Sequence, residues 1–290
     1  MRTQNFNSIL VVGIGLIGGS ILRNISEKKF KGHLYGLDLN EEVINKAFEL
    51  GLIENSDKNI QKIEKDCLVV LSVPSLSFAE AINTVKKSVP LQKVVFTDTL
   101  STKSAVLAYL KSNPDLSQKF ILSHPIAGSE KSGLANSTPS LFKNKLVIVS
   151  PQKSNQILDL EKVQTFWEEL GSNVVLLDPK KHDSILAKTS HLPHAIAYAL
   201  MDFLFNNFDR DTFNYSGGSL EDYTRIASSN SIMWKDIMLS NKDELLKAID
   251  GFKISLDKLS DLIEIGDPEP IKEFLDFIKQ ARDNLINQKD

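Results

Sequence analysis

Val11-Val12-Gly13-Ile14-Gly15-Leu16-Ile17-Gly18-Gly19-Ser20 is the stretch whose reading decides the fold. Its glycines follow the order G-x-G-x-x-G, directly after the apolar run Ile9 to Val12 and at the opening of a helical pattern. In that setting the first glycine permits a tight turn, the second lets the backbone approach a pyrophosphate, and the third lets helix pack on strand. The pyrophosphate would rest on the free N–H groups and positive dipole end of that helix. Asp38 ends the next apolar run, 20 residues after Gly18, where a carboxylate accepts hydrogen bonds from an adenosine ribose. A carboxylate there repels a 2′-phosphate, so the expected cofactor is NAD and not NADP. Gly13, Gly15, Leu16, Ile17, Gly18 and Asp38 are the cofactor-binding candidates. Ser72 and Pro74 join them, because Ser72-Val73-Pro74-Ser75 follows another apolar run, at the carboxyl edge where such sheets bind ligands.

Working outward, His33 to Leu37, Leu68 to Val73 and Val94 to Thr97 read as further buried strands. Helix-period stretches lie between them, such as Glu41 to Leu50 with Gly51 as its stop. Strand and helix alternating in this way predict an α/β fold, a Rossmann-type and mainly parallel sheet. Leu146 to Ser150 and Asn173 to Leu177 add two strands around a helix from Asn155 to Leu170. After Asp178-Pro179 the apolar clusters give way to long helical periods, among them Ala195 to Phe208 and Glu244 to Leu262. The expected division is a nucleotide-binding domain over 1–178 and an all-helical domain over 179–290.

Charge and cysteine usage exclude several classes. The 34 Lys and Arg against 37 Asp and Glu leave a net charge of −3, with no electrostatic case for nucleic acid or an acidic membrane. The single cysteine, Cys67, lies in an apolar run and reads as a buried strand residue. It supports no disulfide framework and no thiolate metal site, and it fits a reducing cytosol. The first residues lack an apolar signal core, and no apolar run is long enough to span a bilayer. A cytoplasmic protein without a metal is expected.

The chemistry concentrates in His124-Pro125-Ile126-Ala127-Gly128-Ser129-Glu130-Lys131-Ser132-Gly133. His124 ends the apolar run Phe120-Ile121-Leu122 and precedes a rigid proline and a flexible glycine, so it should project at a ligand-binding sheet edge. Imidazole titrates nearest neutrality and can take a hydroxyl proton at physiological pH. His33 and His182 read as structural or merely exposed. Facing a nicotinamide, His124 would complete the minimal equipment for oxidising an alcohol.

These stretches, with Asp98 to Lys103, Ser190 to His194 and Thr224-Arg225-Ile226-Ala227, follow the order seen in the prephenate dehydrogenase family, which the chain resembles over nearly its whole length. The resemblance implies an NAD-linked oxidative decarboxylation of prephenate to 4-hydroxyphenylpyruvate in tyrosine biosynthesis. His124 then matches the catalytic histidine that takes the hydroxyl proton. Ser101 matches a serine that hydrogen-bonds the same hydroxyl or orients the histidine; a serine there could also cap a helix starting at Lys103. Arg225 matches an arginine that grips a substrate carboxylate, a task suited to its planar fork. Glu130 and Lys131 align with positions bordering the substrate side chain. His191 is a further candidate at the cleft, whereas His194 is expected to pack in the helix bundle. The resemblance also implies a homodimer through the carboxyl-terminal helices. Arogenate, with an amine in place of the keto group, is the alternative substrate, and a non-catalytic NAD-sensing protein is the alternative of another class.

Overall fold

The computed structural model describes residues 6–55, 66–128, 131–207 and 209–287. β1 (Ser8–Val12) is buried throughout, and its two faces feed two apolar layers. Ile9 and Val11 join one layer with Ile21, Leu22 and Ile25 of α1 (Leu16–Glu27); Leu10 and Val12 join the other. That is the pattern of a strand covered on both sides. The chain continues through β2 (His33–Leu37), α2 (Glu41–Glu49), β3 (Cys67–Leu71), α3 (Phe78–Ser88), β4 (Val94–Asp98), α4 (Ser104–Lys111), α5 (Pro114–Lys119) and β5 (Phe120–Pro125). β6 (Leu146–Ser150), α6 (Ile157–Glu169) and β7 (Asn173–Leu176) complete the sheet. Helix ends follow local chemistry. Asn40 accepts a hydrogen bond from the Glu42 N–H at the start of α2, and Gly51, at φ +65°, lies just past its end.

The 7-stranded sheet runs β2-β1-β3-β4-β5-β6-β7. All neighbours are parallel except β5 and β6. A parallel return needs a crossover of a dozen or more residues, usually a helix. Among the described residues between β5 and β6 there is only a short 3-10 turn, Leu134–Asn136, and the chain comes back antiparallel. The carboxyl ends of β1, β3, β4 and β5 therefore lie on one edge.

Beyond β7 every described element is helical: α7 (Pro179–Leu186), a π turn (Ala187–His191), α8 (Leu192–Asn207), a 3-10 turn (Arg210–Tyr215), α9 (Gly218–Thr224), a second 3-10 turn (Arg225–Ser228) and α10 (Ser231–Ser240), followed by two further helices. Asp178 starts α7 by accepting from the Lys180 and Lys181 N–H groups, with Pro179 in the first turn. These helices belong with the sheet to one compact unit, Met1–Lys242. The second unit, Asp243–Asp290, is built from α11 (Lys242–Ile265) and α12 (Pro268–Asn287). Within it, the Lys258 ammonium lies 5.2 Å from the Phe274 ring centroid.

Candidate active site

The glycine turn sits at the carboxyl end of β1. Gly13 adopts φ +88°, and a Cβ there would lie 2.3 Å from the Ser72 carbonyl oxygen. A Cβ on Gly18 would lie 2.0 Å from the Gly13 carbonyl oxygen, so strand and helix meet only because both are glycine. Gly15 is different: nothing stands within 4 Å of where its Cβ would be. α1 opens there without a side-chain cap. Open backbone at an uncapped helix start fits a pyrophosphate. Leu16 and Ile17 form the first turn of that helix. Asp38, just past β2, turns one oxygen back to accept from the Ile14 N–H at 2.8 Å and the other to accept from the Asn40 N–H at 3.0 Å. It braces the turn and is only part-buried, with lone pairs left for a ribose. Ser72 packs on Gly13 and accepts from the Thr99 hydroxyl at 3.1 Å, while Pro74 is exposed two residues on. These residues would hold NAD.

His124 lies at the end of β5 and is 8% exposed. A buried ion pair fixes the residue before it. Asp98, at the end of β4, accepts from the Ser123 N–H at 2.9 Å, and Lys103 Nζ donates to the Ser123 carbonyl at 2.6 Å and to Asp98 itself. Lys103 also donates to the Leu100 carbonyl at 2.9 Å, so both charged groups are satisfied although neither side chain meets solvent. Burial raises the Asp98 pKa and lowers that of Lys103, each against the attraction of the other. His124 Nδ1 stands 2.9 Å from His182 Nε2, and His182 Nδ1 stands 2.8 Å from Asp183 Oδ1. Burial holds the His124 pKa well below the ordinary histidine value, and the charges of His182, Lys103 and His191 push it the same way. Burial thus favours a neutral imidazole, whose free lone pair can accept a proton.

Two expectations need correction. Of the two readings of His182, structural or merely exposed, exposure falls: it is fully buried and bonded to His124. Nor does Ser101 cap the helix after it. α4 starts at Ser104, and its N-terminus is capped from outside, by Asp183 of α7, which accepts from the Lys103 N–H at 2.8 Å and the Ser104 N–H at 2.7 Å. Ser101 is half-buried in the loop after β4, on the sheet edge that also carries His124. His33 is exposed and pairs with Glu54 at 2.8 Å.

The remaining candidates come from the helices. His191 is buried, with Nδ1 3.1 Å from the Asn241 side-chain nitrogen, and burial brings its pKa down to about 4. His194 stacks on Trp234 of α10 with centroids 3.7 Å apart. Burial and the charge of Arg225 lower its pKa, although its bond to the Ser190 carbonyl opposes them. Arg225 opens the 3-10 turn after α9 and is exposed. Electrostatic neighbours thus run from His124 through His191 and His194 to Arg225. Lys131 is exposed, and Glu130 lies outside the described residues. Asp98, Lys103, His182 and Asp183 are the site residues that sequence reasoning missed. Asp98 and Lys103 bound a stretch that carries the resemblance without being singled out, and the signal for the other two was only a His-Asp dipeptide.

Residues 21–176 match the family domain described as prephenate dehydrogenase, nucleotide-binding domain, and residues 178–280 the prephenate dehydrogenase dimerization domain. A prephenate dehydrogenase of Bacillus subtilis is 30% identical over 99% of this chain and 78% of its own. A cyclohexadienyl dehydrogenase of Zymomonas mobilis is 34% identical over 96% of this chain and 95% of its own. The crystal structure of a prephenate dehydrogenase from Aquifex aeolicus in complex with hydroxyphenyl propionate and NAD+ superposes with a TM-score of 0.89, at 36% identity, covering 97% of this chain and 98% of that one.

Proposed function

The chain belongs to the prephenate dehydrogenase family, and on that footing we propose that it oxidises and decarboxylates prephenate to 4-hydroxyphenylpyruvate. NAD, when bound, supplies the hydride acceptor. His124 takes the proton of the ring hydroxyl, and its burial at the end of β5, on the sheet edge that also carries the glycine turn, is the observation that carries this reading. Ser101 orients the same hydroxyl or the imidazole. Arg225 holds a substrate carboxylate in the ground state, and Glu130, Lys131 and His191 border the substrate. The open backbone at Gly15, with Gly13, Leu16, Ile17, Gly18, Asp38, Ser72 and Pro74 around it, seats the dinucleotide. A second copy of the chain is the expected partner. Exposed Ile254, Ile263 and Ile265 of α11 and Leu275, Phe277 and Leu285 of α12 support a homodimer, which light scattering of the full chain reads directly. No helix among the described residues is long and apolar enough to cross a membrane. A chain with a single cysteine, and so no intrachain disulfide, supports a cytoplasmic location, checked by cell fractionation.

The test is NADH formation with prephenate and, separately, with arogenate. Preference for prephenate is expected; preference for arogenate would keep the chemistry and change the substrate. His124→Asn should lower kcat roughly a hundred- to ten-thousand-fold with little change in KM. Wild-type turnover in that variant would remove His124 from the mechanism. NAD binding without reduction by either substrate would leave a cofactor-sensing protein.

A further inference from the structure

We infer that His182 and Asp183 form a proton relay behind His124 and dictate which of its nitrogens receives the substrate proton. The inference deepens the proposed function and rests on it for the identity of the proton donor.

The argument is a count of donors and acceptors. The Asp183 carboxylate can only accept. Its Oδ1 accepts from the Lys103 N–H, and its Oδ2 from the Ser104 N–H and, at 2.5 Å, from the Ser104 hydroxyl. These bonds hold the carboxylate against the start of α4. Burial pushes the Asp183 pKa up, but the bonds from His182, Ser104 and Lys103 outweigh it and keep the group a carboxylate. His182, 2.8 Å away through Nδ1, must then donate to Asp183 and carries its proton there. A neutral His182 so bonded has only a lone pair on Nε2. His124 Nδ1, 2.9 Å from that lone pair, must donate in turn. The one basic nitrogen left on His124 is Nε2.

The same chain moves the charge. As the hydroxyl O–H bond breaks and the Nε2–H bond forms on His124, the Nδ1 proton passes to His182 Nε2. His124 ends neutral, and the cation sits on His182 against Asp183. The groups facing the two rings favour that outcome. His124 is faced by His182, Lys103 and His191, all of which oppose a positive charge on it. His182 is faced by Lys103 as well, but also by the carboxylates of Asp183 and Asp98. A charge stranded on His124 would be buried without a counter-ion, whereas on His182 it has one.

Two measurements test the relay. Nitrogen-15 NMR of the full chain with labelled histidine, at neutral pH and without substrate, should find His124 protonated at Nδ1 and bare at Nε2. The opposite tautomer would overturn the proposal. His182→Gln leaves an amide oxygen able to accept from His124 but unable to carry a proton. It should lower kcat about tenfold or more with KM within about twofold. It should also move the acid limb of kcat/KM to lower pH. In the wild type the first proton taken up in acid goes to His182 beside Asp183; in the variant it must go to His124, which burial and Lys103 hold low. An acid limb unmoved or raised, in a variant that still binds NAD, would reduce His182 to a packing residue and sink the relay. If the variant fails to fold, the wild-type tautomer still decides. Should the wild type fail to oxidise prephenate, the proposed function falls while the tautomer remains an independent result.

Discussion

Gly13 and Gly15 are the same residue under opposite obligations. Gly13 is required by the fold, since its φ of +88° and the Ser72 carbonyl 2.3 Å from a notional Cβ leave no room for a side chain. Gly15 is free of such contacts, so its lack of a side chain serves only what approaches the backbone from outside. Gly13→Ala should therefore destabilise the protein by about 2–4 kcal/mol, combining left-handed strain with overpacking. Gly15→Ala should leave stability unchanged and weaken NAD binding about tenfold, the worth of roughly one good hydrogen bond. Urea denaturation and calorimetric titration with NAD separate the two effects. Variants that behave alike in both experiments would refute the division of labour.

At the scale of elements, the site depends on how helix ends are satisfied. The N-terminus of α4 is capped by a residue 79 to 80 positions away, which ties α7 to the loop after β4 and thereby to His124. α10 is capped locally: the Asn230 side chain accepts from the Met233 N–H at 3.0 Å. This helix carries Trp234 onto His194 and places Ser240 to accept from the Thr102 hydroxyl at 2.9 Å. Asn230→Ala should cost about 1 kcal/mol and Asn230→Gly only a few tenths, the usual ranking at such a position. Equal stability of wild type and both variants in urea would show that the tertiary contacts of α10 make its cap redundant.

For the whole molecule, three buried histidines make stability depend on pH. His124, His182 and His191 all titrate below the ordinary histidine value in the folded chain, with burial the leading cause in each. Below pH ~6.5 the unfolded chain binds protons that the folded chain refuses, so ∂ΔG/∂pH for unfolding is positive there. The destabilisation these groups impose is absent above that pH and grows as pH falls toward the folded values. His191, held at about 4, should alone cost about 2 kcal/mol at pH 5 relative to alkaline pH. Tm should fall clearly over that interval, and His191→Asn should flatten the fall. An unchanged Tm would mean that these rings are hydrated or charged in the folded protein.

The parallel α/β class, the glycine turn and the positions of Asp38 and His124 at strand ends were all determined by the sequence alone. Each rests on local periodicity or on spacings within one strand–turn–helix unit, which the chain carries without reference to distant partners. Tertiary structure alone decided the rest. β6 returns antiparallel, with no crossover helix among the described residues before it, and His182 came to His124 from 58 residues away. A histidine's role depends on what its two nitrogens meet and on how far water is excluded. Both are properties of packed elements, set when α7 docks its His-Asp pair against the loop that Asp98 and Lys103 hold in place.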